Sequence, residues 1–212
     1  MPGWMRVREL MRYCQSLYPG WDPAYAEELR KIFELDPTAK LRTLSLGQTA
    51  KAGLLAALAH KPDLLVLDEP SSGLDPVVRR DILGAIFRSV AHEGRTVLFS
   101  SHLLEEVELV ADRIAMVHAG KLMIHNTLEQ IKTEHHRVIL RGQNGQTAKP
   151  VLPGSLSAEL SGTTWKIVCF APETDLRSAA QASGFEIVAI ERPSLDDIFV
   201  ARAGTPINAG ME

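Results

Sequence analysis

The chain has 212 residues, 45% of them hydrophobic and 23% charged, with a net charge of −3 and an isoelectric point near 6.2. That length and apolar content can bury the core of one large domain, or of one domain with a small appendage, and they exclude disorder as the default state. The acidic balance supplies no basic field of the kind that draws a protein onto nucleic acid or an anionic membrane, so no nucleic-acid partner is expected.

Cys14 and Cys169 lie far apart with no paired cysteine or histidine spacing around either, which points to neither a zinc site nor a disulfide framework. Residues Met1 to Glu9 carry Arg6 and Arg8 and begin an amphipathic pattern unlike a secretory signal. The most apolar stretches, Ala52 to Ala59 and Leu64 to Leu67, fall short of the roughly 18 apolar residues of a spanning helix, and the expectation is a soluble, cytoplasmic protein.

In chain order, Val7, Leu10, Met11, Cys14, Leu17 and Tyr18 recur at helical spacing until Pro19-Gly20 breaks the pattern. Asp22-Pro23 is a helix start, followed by a stripe of Tyr25, Ala26, Leu29, Ile32 and Phe33 that ends before Asp36-Pro37. A third helix runs from Gln48 to His60 and stops at Pro62. The unbroken apolar run Leu64 to Leu67 suits a strand buried on both faces of a parallel sheet. A long helix from Val77 to Val90, closed by Gly94, leads to a strand at Thr96 to Phe99. A short helix at about Leu103 to Ala111 precedes strands at Ile114 to Val117 and Leu122 to Ile124, which flank a turn at Ala119-Gly120. This alternation predicts an α/β domain whose site lies at the carboxyl ends of parallel strands.

Beyond about His135 the pattern changes to a strand at Val138 to Leu140, a link rich in Gly, Gln and Pro, a strand at Ile167 to Phe170, a helix at Asp175 to Ala182 and a strand at Phe185 to Ile190. Ser194 and Asp197 form a capping pair for a last helix through Phe199, and Gly204 to Glu212 reads as a loose tail.

Four segments carry candidate chemistry. Leu64-Leu65-Val66-Leu67-Asp68-Glu69 delivers two adjacent carboxylates to a sheet edge, where the first suits Mg²⁺ and the second suits activation of a water; a strand ending in a polar turn is the plainer alternative. Leu44-Ser45-Leu46-Gly47-Gln48 opens a helix whose free N–H groups and dipole suit a phosphate, while ordinary capping by Ser45 explains the same residues. Ser72-Gly73-Leu74-Asp75-Pro76 presents Asp75 before the long helix, either for function or as its cap. His102 follows Ser100-Ser101 at a strand end, within reach of a terminal phosphate or simply as a structural imidazole.

In this order the segments LSLGQ at Leu44 to Gln48, LLVLDEP at Leu64 to Pro70, SGLD at Ser72 to Asp75 and SSH at Ser100 to His102 resemble the nucleotide-binding subunits of ATP-binding cassette (ABC) transporters, over roughly residues 4 to 133. The resemblance implies an ABC-type ATPase fold: a partial P-loop NTPase-type sheet with a helical signature subdomain, plus a small C-terminal α+β extension. It implies residues 1–134 as the nucleotide-binding domain, helical over about 1–60 and catalytic over about 61–134, then an extension at 135–204 and a flexible tail at 205–212. By position, Asp68 would serve Mg²⁺, Glu69 would be the catalytic carboxylate and His102 the residue at the γ-phosphate. Ser45, Leu46, Gly47 and Gln48 would belong to the signature that caps ATP held by a second nucleotide-binding subunit, and Ser72, Gly73, Leu74 and Asp75 to the loop that crosses between the two sites. ATP and Mg²⁺ are the implied cofactors, and a membrane permease holding the protein at the inner face of the cell membrane is the implied partner.

Two departures qualify this picture. Thr49-Ala50-Lys51 replaces the usual continuation of the signature, and no Gly-x-x-x-x-Gly-Lys-Ser/Thr loop occurs among the 15 glycines. By resemblance the chain begins after that phosphate loop and after the glutamine loop, as an amino-terminally truncated cassette. The polypeptide is therefore expected to be inactive and poorly soluble alone, or to act as a non-catalytic fragment completing a partner's ATP site.

Overall fold

A leading helix of this protein forms because its apolar residues fall on one side: Val7, Leu10 and Cys14 of α1 (Val7–Leu17) are all buried. The Glu9 carboxylate accepts the Arg6 N–H at 2.8 Å and satisfies a donor that the first turn leaves open. The computed structural model describes residues 2–142 and 148–204, the side chains of 89–93 excepted, so the expected tail at 205–212 lies outside the described residues. The chain divides into two compact units, residues 1–106 and 107–212.

In the first unit, Asp22 caps α2 (Pro23–Ile32) by accepting the N–H groups of Ala24 and Tyr25 at 2.9 and 3.0 Å. The third helix, α3 (Leu46–Leu58), starts two residues before the predicted Gln48. Ser45 Oγ accepts the Gln48 N–H at 3.2 Å and Gln48 Oε1 accepts the Ser45 N–H at 3.0 Å, a reciprocal cap that sets the earlier start. Leu29, Phe33, Leu55 and Leu58 meet in one core, joined by Ile82 and Ile86 of α4 (Pro76–Glu93). Strand β1 (Leu64–Leu67) pairs in parallel with β2 (Thr96–Phe99), Leu67 opposite Phe99, with α4 as the crossover between them.

The expectation that Leu64 to Leu67 is buried on both faces is corrected. Only Leu65 is buried, whereas Leu64 and Val66 are 55% and 64% exposed. Among the described residues this sheet has two strands, and only the face carrying Leu65 joins the core.

Helix α5 (Leu104–Val110) runs across the division between the units. In the second unit, β3 (Arg113–His118) and β4 (Lys121–Thr127) form an antiparallel hairpin of their own rather than extending the parallel sheet. Helix α6 (Leu128–Glu134), absent from the predicted elements, is a short helix capped by Thr127, whose Oγ1 accepts the Gln130 N–H at 3.2 Å. The remaining strands, β5 (His135–Gly142), β6 (Ser155–Ser161), β7 (Thr164–Phe170) and β8 (Phe185–Glu191), make an antiparallel sheet in the order β6-β7-β5-β8. Strand β6 was also unforeseen, because Ser155-Leu156-Ser157-Ala158-Glu159 is too polar to announce a strand and is held by its pairing with β7. Leu176 and Ala180 of α7 (Glu173–Ala182) pack on Val138, Leu140, Ile167 and Cys169, and burial pushes the Cys169 thiol up to about 12. The Ser194–Asp197 pair caps α8 (Leu195–Ala203), as the sequence predicts.

His135, 2% exposed, joins α6 to α8. Its Nδ1–H donates to the Ile131 carbonyl at 2.7 Å, which leaves Nε2 to accept from the Arg202 guanidinium at 3.1 Å, and Phe170 lies against both side chains. Only the neutral ring fits, and burial lowers its pKa from 6.5 to about 4. The unfolded chain therefore binds more protons between those values. This contribution, on the order of 3 kcal/mol, is complete above pH about 6.5 and is lost as pH falls toward 4. Chemical denaturation at stepped pH should show the second unit weakening over that window, with the slope flattened in His135→Gln.

Candidate functional site

Parallel pairing decides where the polar residues meet. Because Leu67 and Phe99 are partners, Asp68 and Ser100 leave their strands at the same edge, and the Ser100 N–H bonds the Leu67 carbonyl at 3.0 Å. Ser100 Oγ–H donates to Asp68 Oδ1 at 2.6 Å, and the same oxygen accepts the Glu69 N–H at 2.8 Å. One hydroxyl thus ties together the backbone of one carboxylate residue and the side chain of the other. Ser100→Ala removes both bonds at an exposed site and should cost about 1 kcal/mol, read as a lowered denaturation midpoint.

Glu69 adopts φ 46°, a left-handed conformation that costs a non-glycine residue roughly 1–2 kcal/mol. The bend is closed by the Ser72 N–H donating to the Glu69 carbonyl at 3.1 Å. It aims the carboxylate at His102, whose Nδ1 lies 2.7 Å from Glu69 Oε2. The carboxylate oxygen can only accept, so Nδ1–H is the donor of this contact. The His102 and Glu69 side chains remain 63% and 36% exposed, so the pair lies open to solvent and its contribution is geometric rather than stabilising.

The other candidate residues gather at the starts of α3 and α4. Asp75 Oδ1 accepts the N–H groups of Val77 and Val78 at 3.1 Å each and so caps α4. Gly47 packs against Val78 so closely that a Cβ there would lie 3.1 Å from both Val78 methyl groups, and Leu46 is the side chain nearest to Gly73. Ser45 and Gln48 are engaged in the reciprocal cap, while Leu46 is 67% exposed beside them. Lys51, which follows the Leu44–Gln48 segment, is buried and pairs with Asp81 at 2.8 Å, which pins α3 to α4.

The structure therefore ties Asp68 to Glu69 through Ser100 and Glu69 to His102 directly, and brings Leu46 and Gly47 against the start of α4 beside the Ser72–Asp75 loop. Sequence reasoning passed over Ser71, Arg79 and Glu106. Ser71 and Glu106 are buried, with Ser71 Oγ–H donating to Glu106 Oε2 at 2.6 Å. The available signal was a polar residue on the inward side of a short amphipathic helix.

For a divalent cation, the Asp68 oxygen not engaged by Ser100 and the neighbouring Glu69 carboxylate form a hard-oxygen donor set. Among the described residues no group of three or more His, Cys, Asp or Glu side chains is placed to hold a metal. Such a set suits Mg²⁺, which is commonly held by one or two carboxylates together with substrate phosphates, better than a metal needing an all-protein cage. No Gly-x-x-x-x-Gly-Lys-Ser/Thr loop, the motif that cradles phosphates, occurs in the 212 residues of this sequence. A separate groove of about 510 Å³ in the second unit is lined by Arg137, Lys166, Glu159 and Glu191, among others. Arg137 is already paired there with Asp197.

The described residues thus form a parallel β-α-β unit with two acids and an imidazole at one edge, an arrangement that nucleoside triphosphatases share. Residues 21–108 match the family model described as "AAA domain, putative AbiEii toxin, Type IV TA system". The chain is 34% identical over 196 residues to the daunorubicin resistance ATP-binding protein DrrA3 of Streptomyces coeruleorubidus, covering 85% of this chain and 61% of that protein. It is 33% identical over 131 residues to the ABC transporter ATP-binding protein YtrB of Bacillus subtilis, covering 62% of this chain and 45% of that protein. A solved ATP-binding subunit of an ABC transporter superposes with TM-score 0.55 at 25% identity, covering 62% of this chain and 57% of that one. A dimeric ATP-binding cassette bound to ADP and Pi superposes with TM-score 0.52 at 22% identity, over 60% of this chain and 58% of that one, and shows the fold alone. The chain is homologous to the ATP-binding proteins of ABC transporters and has the fold of ABC ATPase domains. It spans about half the length of the curated relatives it matches.

Proposed function

We propose that this chain works as part of an ATP-binding, ATP-hydrolysing subunit of an ABC transporter, of the exporter type, and energises a permease carried on a separate polypeptide. The observation that carries the reading is the junction of Asp68, Glu69 and His102 at one sheet edge, with Glu69 Oε2 2.7 Å from the imidazole. Asp68 would hold Mg²⁺ through its free oxygen. The metal would supply charge neutralisation at the phosphates. Glu69 would orient an attacking water and take its proton, and His102 would keep that carboxylate in place. Ser45, Leu46, Gly47 and Gln48 would face ATP held by a second nucleotide-binding subunit, with the Ser72–Asp75 loop beside them.

Residues 1–134 would form the cassette portion and 135–204 its extension. The daunorubicin-resistance name of one relative supports the exporter type. Among the described residues no helix is long and apolar enough to cross a membrane, which fits a subunit held at the inner membrane face by its permease.

The absence of a glycine-rich lysine loop from the sequence favours a second reading, in which the chain is a non-catalytic partner that completes the ATP site of an intact cassette. Titration of a fluorescent ATP analogue separates the two. Saturable, Mg-dependent binding to the purified chain supports the first reading. No binding alone, with faster hydrolysis when an intact cassette is added, supports the second. Neither binding nor stimulation would count against both.

A further inference from the structure

The candidate reaction centre is open to solvent, yet close behind it in the first unit lies a buried ionic cluster that the chemistry above does not use. Ser71 is 1% exposed and Glu106 6%. Glu106 belongs to α5 and follows His102 by one helical turn of sequence. Ser71 and Arg79 flank the Ser72–Asp75 loop, one immediately before it and the other in the first turns of α4.

A single carboxylate holds both flanks. Ser71 Oγ–H donates to Glu106 Oε2 at 2.6 Å, and Arg79 Nε lies 3.0 Å from Glu106 Oε1, an ion pair too bent to count as a hydrogen bond. The Arg79 guanidinium also donates to the Leu74 carbonyl at 3.3 Å, inside the loop. The path from Glu106 back to His102 is short and stiff. The Glu106 N–H bonds the Leu103 carbonyl at 3.0 Å, and the Leu103 N–H bonds Ser101 Oγ at 3.0 Å. Glu106 itself hydrogen-bonds to neither Glu69 nor His102.

Burying a carboxylate is costly unless it is paired, and an apolar residue in α5 would fill the same space without that cost. What the ionic arrangement adds is direction. It ties the loop before α4 and the helix that follows His102 to one carboxylate.

We propose that Glu106 is a positioning residue, clamping the Ser72–Asp75 loop and the His102 segment into one mechanical unit through Ser71 and Arg79. A displacement of the loop, which by the proposed function faces a second subunit, would then be passed to His102 and from there to Glu69. The catalytic consequence rests on that functional reading; the mechanical coupling does not.

Hydrogen–deuterium exchange on the whole chain tests it, comparing wild type with Glu106→Gln, Arg79→Gln and Arg79→Lys. In Arg79→Gln, amides of 72–75 and of 101–105 should both exchange about tenfold faster although Arg79 lies in neither segment, while those of α2 stay unchanged. Arg79→Lys, which keeps the charge, should recover most of the protection, and Glu106→Gln should loosen both segments together. Acceleration confined to 72–75 in Arg79→Gln, or to α5 in Glu106→Gln, would overturn the clamp. If a Glu106 variant does not fold, the Arg79 pair decides alone. Coupled exchange in a chain that neither binds ATP nor stimulates an intact cassette would leave the clamp standing and remove the functional reading; ATP binding with uncoupled exchange would do the reverse.

Discussion

Purified residues 1–212 will hydrolyse Mg-ATP no faster than their own Glu69→Gln variant. A positioned base, the role proposed for Glu69, contributes about 10²–10⁴ in rate only once the terminal phosphate is held in line with a water. That holding is the larger part of phosphoryl-transfer catalysis, and it depends on backbone N–H groups and a lysine arranged as a cradle, for which this sequence has no motif. In a polypeptide joining this sequence to such a loop, Glu69→Gln should lower kcat by about 10²–10⁴, with the aim of the carboxylate at His102 as the reason. Mg-dependent turnover by the chain alone that disappears in Glu69→Gln would show that the phosphates are held in some other way.

The second large effect is on solubility. Strands β1 and β2 form a two-stranded sheet, and among the described residues neither has a further strand beside it. Val66 lies opposite Leu98 in the register, and with Leu64 these side chains are 64%, 63% and 55% exposed. Apolar side chains next to open backbone edges favour pairing with other chains, so the isolated polypeptide should associate at micromolar concentration. Val66→Lys combined with Leu98→Glu places opposite charges side by side on that exposed face and should raise the monomer fraction in light scattering. A wild-type preparation that is monodisperse and melts cooperatively would contradict the expectation.

Much of the local structure was legible because it depends on neighbours in sequence. Asp22-Pro23, the Ser194–Asp197 pair and the break at Pro19-Gly20 act over a turn or less, and the elements they predict are present. The cap by Ser45 weighed from the sequence is present, its oxygen accepting the Gln48 N–H, and it starts α3 two residues before the expected Gln48 because a cap at Ser45 makes Leu46 the first helical residue. Strand β6 escaped because its stability comes from β7 rather than from its own composition. The apolar run at β1 was legible as a strand, but its exposure was not, since that depends on how many strands and layers surround it.

At the candidate site, the sequence by itself determined which groups are available: two adjacent acids after an apolar strand, a serine and a histidine after the next, and an aspartate before a helix. These follow from residue type and from the alternation of strand and helix. Only the tertiary structure decided that Ser100 bridges the two acids, that Glu69 turns through a left-handed bend toward His102, and that Glu106 joins segments far apart in the chain. The reason is physical. Hydrogen bonds and ion pairs of a few ångströms depend on the register of β1 against β2 and on the packing of α4 and α5, long-range relations that no local pattern of residues encodes.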